Sequence, residues 1–320
     1  MKYGDLISIV VPVYNRAHLI GRSVGSLCAQ SYRNIEILVV DDCSTDDLST
    51  AVSAFADPRI RLIRRAENGG AAAARNTGAG EAAAEWVAFH DSDDICVFDR
   101  IERQARKLLA LPQDYIGVHC SRLLYLETTE ATYHRALGFV LPKPDRAGDL
   151  SGNLYHPTIR GNYISVPTML LRKSAIAAAG GFDEGLRNNE DWDFTLRLTR
   201  LGKFGFLPEP LYLTLLQVAR ESTEAQISTN ERYSARSFIT ITGKLRRAGV
   251  APKELAAHYM VTGRLLLREN RPALARRYLG ASLRGRPRKL RTLTLYAVSF
   301  APWLYPLARK LFGRNLNKPI

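Results

Sequence analysis

Cysteines at metal-binding or redox spacing are missing from this chain. Cys28, Cys43, Cys96 and Cys120 lie far apart and none belongs to a C-x-x-C, which argues against a zinc site or a disulfide framework and fits a reducing, cytoplasmic setting. No G-x-G-x-x-G follows the first strand-like segment and no G-x-x-x-x-G-K-[ST] occurs, so dinucleotide-binding Rossmann domains and P-loop hydrolases lose their main sequence support. The N-terminus, "MKYGDLISIVVPVYNR", runs from one charge straight into a strand-like segment, without the long apolar core and small-residue cleavage site of a signal peptide, and none is expected. Acids are scarce at the other end. Residues 232–320 carry 20 Lys and Arg against two acids, Glu254 and Glu269, a net +18, whereas residues 1–231 carry 25 against 29, a net −4. The overall +14 therefore belongs to the C-terminal quarter, which reads as a basic tail for an anionic surface behind a nearly neutral domain.

With 46% hydrophobic and 24% charged residues the chain is globular, and 320 residues suffice for one sizeable α/β domain, about 1–230, plus an appended piece, 231–320. Strand-like and helix-like segments alternate through the first part. "ISIVVPVY" (7–14), "IEILVV" (35–40), "IRLIRR" (60–65) and "WVAFH" (86–90) read as strands; 18–31, 47–56 and 70–84 read as helices. This alternation predicts a mostly parallel sheet flanked by helices, with ligands bound beyond the C-terminal ends of the strands.

Polar residues collect at those ends: Tyr14, Asn15 and Arg16 after the first strand, Asp41 and Asp42 after the second, Glu67 to Gly70 after the third. The fourth runs into "HDSDD", with Asp91, Asp93 and Asp94 inside four residues. Each of these alone is ordinary loop or N-cap chemistry. Carboxylates that close repel one another, and a hard divalent cation with oxygen ligands relieves the repulsion.

In that order, "SIVVPVYNR", "EILVVDDCSTDD", "ENGGAAAARNTG", "FHDSDD" and "GGFDEGLRNNEDWDFTLRL" resemble the bacterial, inverting glycosyltransferases of family two, with the GT-A fold, over roughly residues 5–215. The resemblance implies transfer of a sugar from a nucleotide-activated donor. It implies a nucleotide-binding half (about 1–115) and an acceptor half (about 116–230). Asp93 matches the family's metal ligand, for Mn²⁺ or Mg²⁺, and Asp91 the first acid of its D-x-D motif, with Ser92 between them. Asp42 matches the aspartate that accepts a hydrogen bond from a nucleobase imide, which favours UDP- or dTDP-sugars over cytidine nucleotides. Pro12 and Tyr14 stand where the family lines the base pocket, and Arg75 matches a basic residue near the nucleotide. The glycines at 69 and 70 look like a turn that lets backbone pass close to the ligand.

Asp191 matches the catalytic base, which must reach the acceptor hydroxyl on the face opposite the leaving group. It also heads an amphipathic helix, "DWDFTLRLTRLG", whose N-terminus would hold it in place. Glu190 is its neighbour. Trp192 either stacks on a sugar ring or packs beneath the helix, and Asn162 falls where the family places loops that contact sugar or acceptor. One departure is that Gln217 stands near the position of a histidine that can complete the family's metal shell. The expected activity is transfer to a lipid-linked, lipopolysaccharide or exopolysaccharide acceptor. A catalytically silent nucleotide-sugar-binding protein on the same fold and a nucleotidyltransferase are the alternatives.

Residues 231–290 read as two or three amphipathic helices, two of them forming a hairpin. A basic run, Arg284 to Arg291, then precedes "TLTLYAVSFAPWLYPLA" (292–308), 17 uncharged residues broken by Pro302 and Pro306. A spanning helix needs ~20 apolar residues, so this stretch is expected to lie in the plane of an anionic membrane surface, making the protein peripheral on the inner face of the cell membrane. Nucleic acid is not expected, since no helix-turn-helix or RNA-binding signature accompanies the charge. Contact between two copies, giving a homo-oligomer, is the remaining option for the apolar stretch.

Overall fold

The structure is a computed structural model that describes residues 2–127, 134–140, 150–217, 234–287 and 289–307. It divides into two compact units. The first comprises Met1–Thr158, Tyr163–Gly185 and Glu190–Ser222; the second comprises Ile159–Asn162, Leu186–Asn189 and Thr223–Ile320.

The first unit carries one nine-stranded sheet. In chain order its strands are β1 (Ile7–Val13), β2 (Ile35–Asp41), β3 (Ile60–Arg64), β4 (Trp86–Phe89), β5 (Ile95–Cys96), β6 (Tyr115–Glu127), β7 (His134–Val140), β8 (Met169–Arg172) and β9 (Lys203–Gln217). They are ordered β3-β2-β1-β4-β8-β6-β9-β5, with β7 on β6. The first four are mutually parallel, as their alternation with helices requires. β8 then joins β4 to β6 by antiparallel pairing on both sides, and β9 runs parallel to β6. The helices are α1 (Ala17–Cys28), α2 (Leu48–Ser53), α3 (Gly70–Glu81), α4 (Arg100–Leu109), α5 (Tyr155–Arg160), α6 (Lys173–Ala178) and α7 (Glu190–Leu198).

β1 and β2 are continuously apolar because both of their faces are covered. Ile7, Ile9, Val11 and Val13 pack with Ile37 and Val39 against Ile20, Val24 and Leu27 of α1 and Ile101 of α4. The intervening Val10, Leu38 and Val40 pack against Ala72, Ala74 and Ala79 of α3 and Phe194 of α7. β3 is the exposed edge, and charged Arg61 and Arg64 there discourage pairing with another chain. α3 is built of alanine and glycine because it lies almost on the sheet: a Cβ on Gly78 would stand 2.3 Å from Val10 Cγ1. The parallel register of β1, β2 and β4 puts their C-terminal ends, and hence Tyr14, Asp42 and the "HDSDD" loop, on one edge.

The second unit is helical: α8 (Ser234–Arg247), α9 (Pro252–Arg268), α10 (Pro272–Gly285) and α11 (Leu290–Val298), then a 3₁₀ turn at Pro302–Leu304. Proline opens α9 and α10, where the missing N–H is no loss. These two helices form the hairpin that the sequence predicts, in close contact where a Cβ on Gly263 would stand 2.5 Å from Leu279 Cγ. Leu266, Ala275, Leu279 and Leu295 form the fully buried centre of this unit. Among the described residues no helix is long and apolar enough to cross a membrane.

Two glycines of α3 should respond oppositely to alanine. Gly80 faces open space, so Gly80→Ala should gain up to about 1 kcal/mol of helix propensity. Gly78→Ala should lose about 1–3 kcal/mol by overpacking against Val10 and Val40. Urea unfolding of the two variants measures both signs.

Candidate functional site

Asp42 lies immediately beyond β2 and is 2% exposed. Its Oδ1 accepts the Gly69 N–H at 3.1 Å and pairs with Arg65, and its Oδ2 accepts the Gly70 N–H at 2.7 Å. Gly70 has φ +84°, a left-handed conformation that glycine adopts without steric cost. The close backbone approach expected of this Gly-Gly pair is therefore made to the Asp42 carboxylate, which receives the first amides of α3. A carboxylate has about four lone-pair positions; three are used here, leaving one on Oδ2. The loops after β1 and β2 are latched together by Asn15, whose Oδ1 accepts the Thr45 N–H at 2.8 Å while its own N–H donates to Ser44 Oγ at 3.0 Å. Pro12 is buried beside Val40 in this corner, and Tyr14 stands 46% exposed at its rim.

The "HDSDD" loop divides its acids between tasks. Asp94 is buried, and its Oδ1 accepts the Leu215 N–H at 2.9 Å, pinning the loop to β9. Burial, then the charges of Asp91 and Asp93, hold its carboxyl well above the usual range. Asp91 is tied through its backbone, whose N–H donates to the Tyr212 hydroxyl at 3.0 Å, and Ser92 is buried next to it. Burial and the neighbouring Asp91 also push the Asp93 carboxyl up, against the pull of Arg16 at 3.3 Å. α4 begins at Arg100 with Asp99 in the cap position, so this acidic cluster is not spent on capping the next helix. His90 is structural: it is fully buried, with Nε2 3.3 Å from the Asp94 carbonyl, and burial and then Arg100 push its imidazole down to about 3.

Arg75 projects from α3 between two loops far apart in sequence. One guanidinium nitrogen donates to Asp91 Oδ1 at 2.9 Å, another to Glu190 Oε1 at 3.2 Å, and its carbon lies 5.5 Å from the Phe182 ring centroid. Burial opposes its charge, but Asp91 and Glu190 more than offset this and raise its pKa above the ordinary value; Asp191 contributes in the same sense. Glu190 is raised by burial and by the adjacent Asp191. The first turn of α7 thus places Glu190 and Asp191 within electrostatic range of the guanidinium that holds Asp91. Asp191 Oδ1 accepts the Trp192 N–H at 2.7 Å, an orphan amide of the helix N-terminus.

Other sequence candidates fall differently. Of the two roles open to Trp192 it takes the packing one: it is 3% exposed and its indole N–H donates to the Thr158 carbonyl at 2.8 Å. Asp193 is buried and bound to Arg197 at 2.7 Å. Asn162 belongs to the second unit. The side chain of Gln217 lies outside the described residues. Of the partners, Arg16 was named from sequence at the end of the first strand, and Arg65 and Tyr212 were not. Arg16 and Arg65 follow strands directly and had positional signals, whereas Tyr212 is 121 residues from Asp91 and had none.

Among the described residues no three His, Cys, Asp or Glu side chains form a complete metal site. Asp91 and Asp93 are nevertheless hard oxygen donors, and burial together with the charge of Asp91 raises the Asp93 carboxyl, which Arg16 only partly offsets. The pair fits a divalent cation that completes its shell from a bound ligand and water.

An α/β unit with parallel strands ending in this acidic loop, and a carboxylate-led helix tied to it, has the architecture of GT-A transferases. The profile of Glycosyl transferase family 2 matches residues 8–160. Over 237 residues, 72% of this chain and 70% of the relative, it is 30% identical to an uncharacterized glycosyltransferase of Rickettsia prowazekii. Over 104 residues, 32% of this chain and 41% of the relative, it is 42% identical to the UDP-Glc:alpha-D-GlcNAc-diphosphoundecaprenol beta-1,3-glucosyltransferase WfgD of Escherichia coli. Similar solved folds include residues 1–349 of S. aureus TarS in complex with UDP, with TM-score 0.55, 18% identity and coverage of 94% of this chain and 87% of that one. They also include the Pyrobaculum calidifontis mannosyltransferase PcManGT in complex with GDP-Man and Mn²⁺, with TM-score 0.57, 19% identity and coverage of 95% and 82%. The chain belongs to glycosyltransferase family 2 and is a glycosyltransferase.

Replacing Arg75 by Met would leave Asp91 and Glu190 facing each other without their shared cation. The expected loss is about 3 kcal/mol at neutral pH, the low end for a broken buried pair because the Asp91 side chain is 30% exposed; urea unfolding measures it. A second expectation concerns pH. Burial pushes the His119 imidazole down to about 4, while the unfolded chain takes up that proton near 6.5. The stability this histidine contributes is complete above about 6.5 and is lost as pH falls towards 4. A His119→Gln variant, able to keep the bond to the Leu150 carbonyl, should therefore lose less stability than wild type between those pH values, by at most about 3 kcal/mol.

Proposed function

We propose that the chain transfers a sugar, with inversion, from a UDP-sugar to a hydroxyl of a lipid-linked or exopolysaccharide acceptor, with dTDP-sugars as the second donor class. The observation that carries this reading is the Arg75 bridge, which draws the acidic loop after β4 and the carboxylate-led N-terminus of α7 to one place. A donor-side acid and an acceptor-side base close together are what displacement at a sugar carbon needs.

In this reading the remaining lone pair of Asp42 Oδ2 accepts the imide N–H of uracil or thymine, beside Pro12 and Tyr14. Cytosine lacks that donor. Asp93, with Asp91 and Ser92 beside it, would hold a divalent cation, Mn²⁺ or Mg²⁺, whose Lewis acidity neutralises the diphosphate. Asp191 takes the proton of the acceptor hydroxyl as that oxygen bonds to the anomeric carbon; the bond from that carbon to the diphosphate oxygen breaks, and the nucleoside diphosphate leaves with the electron pair. Glu190, bound to Arg75, keeps the approach to Asp191 polar. UDP in the similar TarS fold supports the donor class, Mn²⁺ in PcManGT supports the cation, and the diphosphoundecaprenol-linked acceptor of the E. coli relative supports a lipid-linked acceptor.

UDP or dTDP should raise the melting temperature of the wild type in the presence of Mn²⁺, GDP and CDP should do so less, and Asp93→Asn should abolish the Mn²⁺-dependent part. Asp191→Asn should keep the nucleotide response and lose about 10²–10⁴-fold in turnover, read as nucleoside diphosphate release. A folded protein that responds to no nucleotide, or an Asp191→Asn variant of full activity, would overturn the assignment.

A further inference from the structure

The two aspartates at the end of β2 each meet an arginine from the end of β3. Successive residues of a strand project to opposite faces, so Arg64 takes Asp41, at 3.1 Å, and Arg65 takes Asp42. The two pairs differ in burial. The Arg64 side chain is 60% exposed and that of Arg65 only 16%. The Arg65 N–H also carries the β2–β3 ladder one step further, donating to the Asp41 carbonyl at 2.9 Å. Its guanidinium lies against Gly69, where a Cβ would stand 2.7 Å from Nη1 and 2.9 Å from Nη2. Gly69 has φ −116°, which any residue adopts, so a side chain is missing there to make room and not to free the backbone.

Arg65 makes the two oxygens of Asp42 unequal. Oδ1 accepts from Gly69 at 3.1 Å and from Arg65, which fills it; Oδ2 accepts from Gly70 at 2.7 Å and keeps one lone pair. Among the described residues the guanidinium donates to Asp42 alone, which leaves most of its N–H groups over. The corner thus offers one acceptor position with donors beside it.

That pattern complements the imide edge of uracil or thymine, where N3–H adjoins a carbonyl oxygen. Guanine places N1–H and N2–H side by side, and a carboxylate with both oxygens free accepts the two together. Here Oδ1 is occupied, so the guanine N2–H would enter without an acceptor, and an unpaired buried polar group weakens binding. Cytosine lacks the N3–H. We infer that Arg65 is the specificity-determining residue of the base pocket: it donates to a carbonyl oxygen of the pyrimidine and occupies the Asp42 oxygen that guanine needs. The inference deepens the donor reading given above and rests on it.

The test is titration calorimetry of the full chain with UDP, GDP and CDP in the presence of Mn²⁺, on wild type, Arg65→Met, Arg65→Lys and Asp42→Asn. Wild type should bind UDP more tightly than GDP or CDP. Arg65→Met removes the donors and frees Oδ1, and should cut the UDP-over-GDP preference about tenfold, with UDP weaker and GDP tighter. General loosening of the corner would weaken every nucleotide and would not strengthen GDP. Arg65→Lys keeps a cation on Oδ1 without the planar fork that reaches a second acceptor, and serves where the Met variant fails to fold. It should leave GDP as weak as in wild type and weaken UDP about threefold. A UDP-to-GDP ratio that the folded arginine variants leave unchanged, or equal loss of both nucleotides, would overturn the inference. If Asp42→Asn removes the UDP preference and the arginine variants keep it, the inference falls and the donor reading stands; a wild type that binds all three alike overturns both.

Discussion

The interaction on which the catalytic unit depends is the Arg75 guanidinium set between Asp91 and Glu190. Each carboxylate comes from the start of a different segment, one from the loop after β4 and one from the first turn of α7. Either alone beside its acidic neighbours would be repelled by them: Asp91 stands two residues from Asp93, and Glu190 adjoins Asp191. The buried cation makes both placements tolerable at once. Arg75 spends its charge on Asp91 and Glu190, while burial and the charge of Asp91 keep the Asp93 carboxyl raised.

Arg75 can hold this position only because α3 is fixed at both ends of its reach. At its start, Asp42 collects the amides of Gly69 and Gly70 and locks the helix to the end of β2. Three residues past Arg75, Gly78 lets the helix settle against Val10 of β1. Asn76 then holds the following segment, with its side-chain amide donating to the Phe182 carbonyl at 2.9 Å and its Oδ1 accepting the Phe182 N–H at 2.7 Å. The run "GGAAAARNTG" is thus one device. Its glycines and alanines set the distance, and its arginine and asparagine join the sheet edge to the segment that leads to α7.

The first half of the sheet was legible from sequence because its signals are local. Strand-like runs of five to eight residues alternate with helix-like ones, and in the structure four parallel strands lie where those runs are. The second half was not read as strands. β6 and β9 are long, pair with each other from positions about 90 residues apart, and meet β4 through an antiparallel β8 that no periodicity announces. The positions of Asp91, Asp93 and Asp191 were legible as residues, and so was the shared sheet edge, but the partners that set their electrostatics were less so. Tyr212 holds the Asp91 backbone from β9, and Arg100 sits fully buried 5.1 Å from the Tyr212 ring centroid behind the loop. Trp192 could not be resolved from sequence, because a helix tryptophan beside a functional carboxylate is equally placed to stack on a ligand or to pack inward.

Charge is divided unevenly along the chain. Residues 1–231 have a net charge of −4 and residues 232–320 a net +18, so no folding of the chain on itself neutralises the second by the first. At least fourteen positive charges must be met by solvent ions or by an external polyanion, and such charges repel one another unless a surface is there to receive them. Solvent ions would answer the charge alone. They would leave Trp303 and the exposed leucines of residues 290–307 in water.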